Sequence, residues 1–461
     1  MANEITSTST STDQEKMVAS ELIKRSTLKL VAASVCDKIK QKKGTGKIAY
    51  FIRYKRMFVP VTTLTEGTDP ANSTFELDSQ TVTLDQWGDI LTITDVAELT
   101  TLHPLMQQAL ELLADNAQRV IDREVQIVWF TGTNIQYGDS SVTSRRTITT
   151  SMKVTDTIIH RARVTLVDTG VQPRFGPLKS NASVVNVASA NGPAGINGPN
   201  HYLAICGPQI MADVQQAGTS LGTWASVMMY AKQVNLYNAE VGTWLGFRWV
   251  ETNFIPKITL LGNNTAAVVS TNAFGTDTPV VTAVDGGGTL TSATTYFFKV
   301  TRKDKLRGFE EAISIAHSMQ STATANNESF TFNFSALTAG YLYNLYFDSV
   351  QAGGTGTDAT LKLVSENIAV GTTVTVTAVG TGVTAPDNVI GTGNTVHPIY
   401  FHGKESCFWV GLQNLSTHMT KPGSIIGNVL ELKRAIGYKF MHKAMIPDQT
   451  RLLRVELAST F

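Results

Sequence analysis

The sequence predicts an α+β chain of more than one domain, from three observations. An unusually long amphipathic helix pattern begins near residue 103. Runs of β-branched and aromatic residues lie on both sides of it. Near residue 263 the composition switches to short alternating strands rich in Thr and Gly. The 461 residues exceed the roughly 250–300 at which one hydrophobic core stops growing. Apolar residues make up 42% and charged residues 16%, against about 25% charged in an average chain. A weakly charged surface suits a protein that buries much of itself against neighbours.

Residues 1–13 are polar and Ser/Thr-rich, with nothing to bury. Helical spacing of Met17, Leu22, Leu28, Val31, Val35 and Ile39 predicts a helix over 14–43, stopped by Gly44 and Gly46. Residues 48–63 and 75–93 read as extended, joined by the turn-rich segment TLTEGTDPANST, 63–74. Together they predict a two-stranded arm. Two strands alone bury too little to be stable in water, so the arm must lie on its own body or on a neighbour.

Residues 103–130 carry the strongest helix pattern, with Thr101 as cap and Pro104 in the first turn. Leu102, Met106, Ala109, Leu113, Ala117, Val120 and Val128 share its apolar face. At 1.5 Å per residue it would span roughly 42 Å, long enough for a structural spine. A shorter helix follows over 155–169, capped by Thr155 and ended by Gly170. Beyond a loop over 171–200 come a strand at 201–206, helices at 208–217 and about 223–234, and a strand at 246–254.

Residues 263–395 hold 25 Thr and 14 Gly. About seven short strands are expected there, at 280–284, 294–302, 312–317, 329–334, 342–347, 360–364 and 373–379, which is the signature of a β-sandwich. Both borders are polar turns, so the segment reads as a domain inserted into a surface loop. A strand at 405–412 resumes the earlier style. Two long strands close the chain, 435–446 and 450–457, with Pro447, Asp448 and Gln449 as the turn between them.

No motif survives as a catalytic site, and the chain is expected not to be an enzyme. Gly218-Thr219-Ser220-Leu221-Gly222 matches a nucleophile elbow, but a helix and not a strand precedes it. Gly44-Thr45-Gly46-Lys47 resembles the end of a phosphate loop, yet Gln41 and Ile48 replace the required residues. His397, His402 and His442 lack metal-ligand spacing, and no carboxylate pair stands out for acid/base work. No cofactor and no metal are expected. Cys36, Cys206 and Cys407 are odd in number and far apart, which predicts reduced thiols in a cytosolic setting. The N-terminus lacks the apolar stretch of a signal peptide, and no run of about 18 apolar residues predicts a membrane span.

The net charge is +1, but it is unevenly placed. Residues 16–56 hold 12 basic and two acidic residues, and 263–395 hold 6 basic and 10 acidic. Such asymmetry separates a face toward nucleic acid from a face toward solvent, or else marks an ordinary solvated basic segment.

The stretch VPVTTLTEGTDP, 59–70, and the run TVTLDQWGDILTITDVAELTTLHPLMQQALELLADNAQRVIDREV, 81–125, resemble the major capsid proteins of tailed phages. The resemblance is to the Hong Kong 97-like fold, and within it to the coliphage N-four type family. The matching features are Thr63–Thr68 with Pro70, Gln86–Leu99 and Arg119–Asp122; Gly437-Tyr438-Lys439 and Arg451–Glu456 resemble the family's last strands. The resemblance covers about 15–260 and 396–460. It implies an N-terminal arm (1–47), an extended loop reaching a neighbouring subunit (48–93), a peripheral domain with the spine helix (94–153), an axial domain (154–262 and 396–432) and closing strands (433–461). The insertion, 263–395, resembles an immunoglobulin-like or fibronectin-like module.

The implied function is a capsid subunit that assembles into hexamers and pentamers of an icosahedral shell around double-stranded DNA. It would be made and assembled in the host cytoplasm and end in the virion. Implied partners are further copies of the chain, a scaffolding protein, a portal and a decoration protein. Packaged DNA would meet 16–56, and a host surface glycan is a candidate for 263–395. Glu66, Gly67, Asp69 and Pro70 are the expected assembly-interface residues. The alternative is a phage tail or adhesin-type protein whose sandwich binds carbohydrate.

Overall fold

In the computed structural model the described residues are 30–55, 57, 59, 63, 66–67, 74–94, 105–142, 145, 148–175, 201–220, 224–226, 239–259, 279–284, 287–291, 295–312, 317–320, 329–335, 337–348, 361–382, 395–419 and 433–460. Helix α1 (Ala32–Val35) leads into β1 (Asp37–Lys40), β2 (Ile48–Tyr54), β3 (Leu77–Thr83) and β4 (Asp85–Thr94). Next come α2 (Leu105–Phe130), β5 (Ile135–Tyr137), α3 (Asp156–Asp168), β6 (Tyr202–Cys206) and α4 (Pro208–Ser220). Strands β7 (Ala225–Ser226), β8 (Glu240–Trp244), β9 (Phe247–Glu251) and β10 (Ile258–Thr259) lead to the Thr-rich segment. That segment holds β11 (Val280–Val284), β12 (Thr295–Asp304), β13 (Glu310–Ala312), β14 (His317–Gln320), β15 (Ser329–Asn333), β16 (Tyr341–Asp348), β17 (Lys362–Ile368) and β18 (Thr373–Val376). The chain closes with β19 (Thr395–His402), β20 (Phe408–Met419), β21 (Lys433–Met445) and β22 (Leu452–Ala458).

The described residues fall into two compact units. One comprises Asp85–Gln118 and Gln413–Met441. In it β20, β21 and β4 lie side by side in that order. Gly88 and Gly437 permit the closest approach, since a Cβ on either would meet a backbone carbonyl of the facing strand at 2.7 and 2.9 Å. Asn116 on α2 donates to Asp89 at 2.8 Å.

The other unit comprises Lys29–Leu84, Arg119–Leu412 and His442–Phe461. Its centre is a mixed sheet in the order β5-β22-β19-β6-β9-β8-β7, with β10 also on β19. Side chains alternate between its faces as strand geometry requires. Tyr202, Ala204, Phe401, Leu453 and Val455 pack under α3 and α4, against Ile159, Ala162, Leu166, Ile210 and Val214. Leu203, Ile205, Tyr400 and Leu452 face the other way, onto Val125 and Trp129 of α2 and Val31, Ala32 and Val35. Both faces are therefore covered, which is why the strands read as continuous apolar runs. A buried carboxylate, Glu456, is held by two hydrogen bonds of 2.6 Å from Arg145 and by Arg454 at 2.9 Å. Both guanidinium groups lie over the Phe130 ring.

The Thr-rich segment folds as two facing sheets, β11-β15-β18 and β13-β12-β16-β17, with β14 also on β12. Rings from the two sheets interlock, with Phe298 on Phe332 at 5.1 Å and Phe330 on Phe347 at 5.5 Å. Its two ends are neighbours, because Thr259 of β10 stands opposite Thr395 of β19.

The structure departs from the sequence-based expectations at several places. The helix expected over 14–43 is, in its described part, only Ala32–Val35; Asp37–Lys40 forms a strand instead, parallel to Phe408–Gly411. Strand pairing there outweighs helical spacing, and residues 14–29 lie outside the described residues. The extended run 75–93 is two strands broken at the buried Leu84, and only β3 pairs β2. The helix expected over 208–217 runs on to Ser220. Within the helix expected near 223–234, Ala225–Ser226 is a short strand, and 227–238 lie outside the described residues. The closing strands do not pair with each other: β21 joins β20 and β4, while β22 joins β19 and β5. Cys36 and Cys407 are not reduced thiols but a disulfide; the pairing of β1 with β20 brings together two residues 371 apart, each just before its strand.

Candidate assembly interface

The arm is the β2–β3 ribbon, antiparallel from Ile48↔Thr83 to Tyr54↔Leu77. The ladder continues at both ends, through Lys55 N–H to Glu76 O and Leu84 N–H to Lys47 O, each 2.9 Å. Period-two alternation gives the ribbon two unlike faces. One rests on the chain's own body. Ala49 and Val82 are buried there, and Phe51 meets Phe408 with ring centroids 5.9 Å apart. Arg53 bridges Asp78 at 2.8 Å and also Asp448 in the turn before β22.

Burial alone would raise the Asp448 carboxyl. Hydrogen bonds from the Thr450 side chain and backbone, with the charges of Arg53 and Arg451, outweigh burial and hold it below the usual range. Lys55 is raised by its hydrogen bond to Glu76 and by that carboxylate's charge. A cleft of about 670 Å³ beside the ribbon is lined by Arg53, Lys55, Lys404 and Arg451 together with Glu405 and Asp448. Its charges are largely paired, so it offers no ready anion site.

The opposite face is uncovered, with an apolar stripe along β2 and exposed Ser79, Thr81 and Thr83 beside it on β3. Ile48, Tyr50, Ile52 and Tyr54 project from β2 with exposures of 57–67%, and Leu77 completes the stripe. Toward the tip Met57, Val59 and Phe75 are 56–82% exposed. Scattered exposed apolar side chains are normal, but a contiguous run marks an interaction surface. These residues were legible as a strand, yet nothing in the sequence told which face of the ribbon stays open.

Of the predicted interface residues, Glu66 and Gly67 form an exposed turn, where Gly67 takes φ +78° with nothing within 4 Å of its Cβ position. That backbone suits glycine. Asp69 and Pro70 lie outside the described residues.

The rejected motifs are structural where described. Ser220 ends helix α4 with no strand before it. Gly44 and Gly46 shape the turn between β1 and β2, where Gln41 donates to Thr45 at 3.2 Å and to the Gly46 carbonyl at 3.1 Å. His402 is buried against Trp129, at 4.4 Å between centroids, with Ser406 Oγ at 3.0 Å. His442 stacks on Trp409 at 4.0 Å. Burial, with Lys257 second, lowers His397 to about 4, and burial holds His402 well below the ordinary value. Among the described residues no three His, Cys, Asp or Glu side chains are grouped to hold a metal, and no described helix is long and apolar enough to cross a membrane.

Lys38, Lys40, Lys42, Lys43 and Lys47 are all exposed on β1 and the following turn. Elsewhere in the basic segment, Arg53 and Lys55 are paired with carboxylates of the chain itself.

No protein-family model matches the sequence, and no curated protein does. The whole chain is similar in fold to the capsid asymmetric unit of cyanophage Pam1, with a TM-score of 0.51, 10% identity and 99% of each chain covered. Capsid structures of Ralstonia phage GP4 (TM-score 0.49, 10% identity, 100% of this chain and 99% of that one) and cyanophage P-SCSP1u (0.47, 11%, 100% of both) are also similar. The chain therefore has the α+β capsid-type fold that the sequence resemblance implied.

Proposed function

We propose that this chain is the major capsid protein of a tailed bacteriophage, a structural protein and not an enzyme, self-assembling into hexamers and pentamers of an icosahedral shell. The observation that carries the reading is the arm. One face is anchored on its own body by Phe408 and Asp448, and the other leaves Ile48, Tyr50, Ile52 and Tyr54 open to solvent. Burial of such a stripe against a neighbouring copy supplies an association energy that the single subunit cannot realise. The fold likeness to the Pam1 capsid supports the same reading.

In this account 48–93 is the extended loop, 94–153 and 433–461 the peripheral domain, 154–262 and 396–432 the axial domain, and 1–47 the N-terminal arm. A scaffolding protein, a portal and a decoration protein are the partners of assembly in the host cytoplasm, and the product is the virion. Exposed Lys38, Lys40, Lys42, Lys43 and Lys47 support a salt-sensitive, sequence-independent contact of the basic segment with packaged double-stranded DNA.

The sandwich within 263–395 is an immunoglobulin-like module on the outer face of the shell. Among its described residues the large exposed apolar side chains are Val284, Leu306 and Val379, none aromatic. This favours a stiffening and solubilising role over glycan binding, and the capsid reading over the adhesin one.

Replacing 64–73 by a short Gly-Ser linker tests the interface. The subunit is expected to stay folded and soluble and to stop assembling. Normal shells from this variant overturn the assignment.

A further inference from the structure

Cys36 and Cys407 lie at the head of the β1–β20 pairing, where the Asp37 N–H donates to the Cys407 carbonyl at 2.8 Å. Their Cα atoms are 4.7 Å apart, they are disulfide-bonded, and both are buried. The same segment is also held without the bond. Val31, Ala32 and Val35 are buried with Val125 and Trp129. The Ala33 N–H donates to Asp122 Oδ1 at 3.0 Å, and four residues of β1 pair with β20. The segment therefore has noncovalent anchors of its own besides the covalent bond.

We propose that Cys36–Cys407 is a redox-controlled clasp that converts the docked segment 31–40 from a releasable strand into a fixed one. Closure proceeds by thiol–disulfide exchange with a low-molecular-weight disulfide such as oxidised glutathione. One cysteine thiolate attacks it, forms a mixed disulfide and expels one glutathione thiolate. The second cysteine thiolate attacks the protein sulfur of the mixed disulfide and expels the other. Two cysteine thiols give up two electrons and two protons, and one glutathione disulfide becomes two glutathione thiols. Both sulfurs are shielded, so exchange in either direction waits for β1 to lift from β20. The clasp is open in a reducing compartment, where such bonds do not persist, and closed outside it. Cys206 is buried in β6, and burial, then the Glu251 charge, pushes its thiol pKa up; it serves as the internal control. The clasp is independent of what the chain assembles into.

The test uses the purified full chain, treated with oxidised glutathione or with dithiothreitol, then denatured and labelled with a polyethylene-glycol maleimide. One label is expected after oxidation and three after reduction. On a non-reducing gel the oxidised chain runs faster because a loop spanning 371 positions is closed. Cys206→Ser keeps this shift, while Cys36→Ser and Cys407→Ser each lose it. Circular dichroism of the two forms is expected to coincide, with amide hydrogen exchange over 31–40 at least about ten-fold slower when oxidised. Three labels after oxidation refute the bond. Equal exchange in both forms refutes the clasp, and so does a reduced chain that fails to fold, since the bond would then be a structural necessity.

Discussion

Ile52 and Tyr54 separate a folding role from an assembly role, because their side chains are 57% and 67% exposed on the open face of the arm. The double substitution Ile52→Lys, Tyr54→Lys leaves the body-side contacts of Phe51 and Arg53 untouched. Exposed substitutions of this kind stay within about ±0.5 kcal/mol each, so the unfolding midpoint in urea is expected to move little. Burying the exposed part of each side chain in a neighbour is worth roughly 1–2 kcal/mol, from about 1.5–3 kcal/mol for a full apolar side chain. The pair therefore contributes about 2–4 kcal/mol per contact, or a factor of roughly 30–1,000 in association, before the cost of desolvating two lysines. In a shell each subunit makes and receives such a contact, so the losses compound. Light scattering across a concentration series is the assay, with scaffolding protein supplied to both chains. The variant is expected to stay unassembled at ten times the threshold concentration of the parent. Assembly at the parent's threshold refutes the reasoning. A large loss of subunit stability also refutes it, by showing that the stripe is covered within the chain.

Two further outcomes follow from buried groups and from the sandwich. Burial raises Asp122 from 3.8 to about 6, opposed by hydrogen bonds from Ala33 and Gln126. A carboxyl raised in the folded state favours folding below its unfolded pKa and loses that contribution as pH rises through about 6. Asp122→Asn removes the dependence, so the stability difference between parent and variant should change by about 2 kcal/mol between pH 4.5 and 7.5. The depressed His397 and His402 give the opposite slope below pH 6.5 and cancel in that comparison; parallel pH profiles would exclude the Asp122 contribution. Replacing 265–395 by a Gly-Ser linker should leave a chain that folds and assembles, because Thr259 and Thr395 are already neighbours. Failure to fold, measured by circular dichroism, would place the sandwich in the core.

The spine helix, the arm and the sandwich were legible in the sequence because each is specified locally. Ala109, Leu113 and Ala117 keep helical spacing and are buried, Thr155 accepts from the Ile158 N–H at 3.4 Å, and the alternation of Phe330 and Phe332 fills the sandwich core. Long-range pairing was not legible. Nothing near Asp37–Lys40 announces a parallel partner at Phe408–Gly411, and the disulfide follows from that same pairing. Strand β19 was hidden by Pro398, which a central strand normally excludes. It is tolerated between Val396, the last residue that β10 pairs, and Tyr400, the first that β6 pairs. Of the candidate interface, the tip residues Glu66 and Gly67 were marked by turn chemistry. The apolar stripe behind them was not, because which face of a ribbon meets the body is decided by Phe408 and Asp448, far along the chain.

Whether the chain builds closed shells from copies of itself is decided by electron microscopy of the expressed protein with scaffolding protein supplied. Closed icosahedral particles with hexameric and pentameric capsomers are expected, the arm of each subunit lying across its neighbour. A protein that stays monomeric at high concentration under those conditions, or forms only trimeric fibres, would contradict shell assembly.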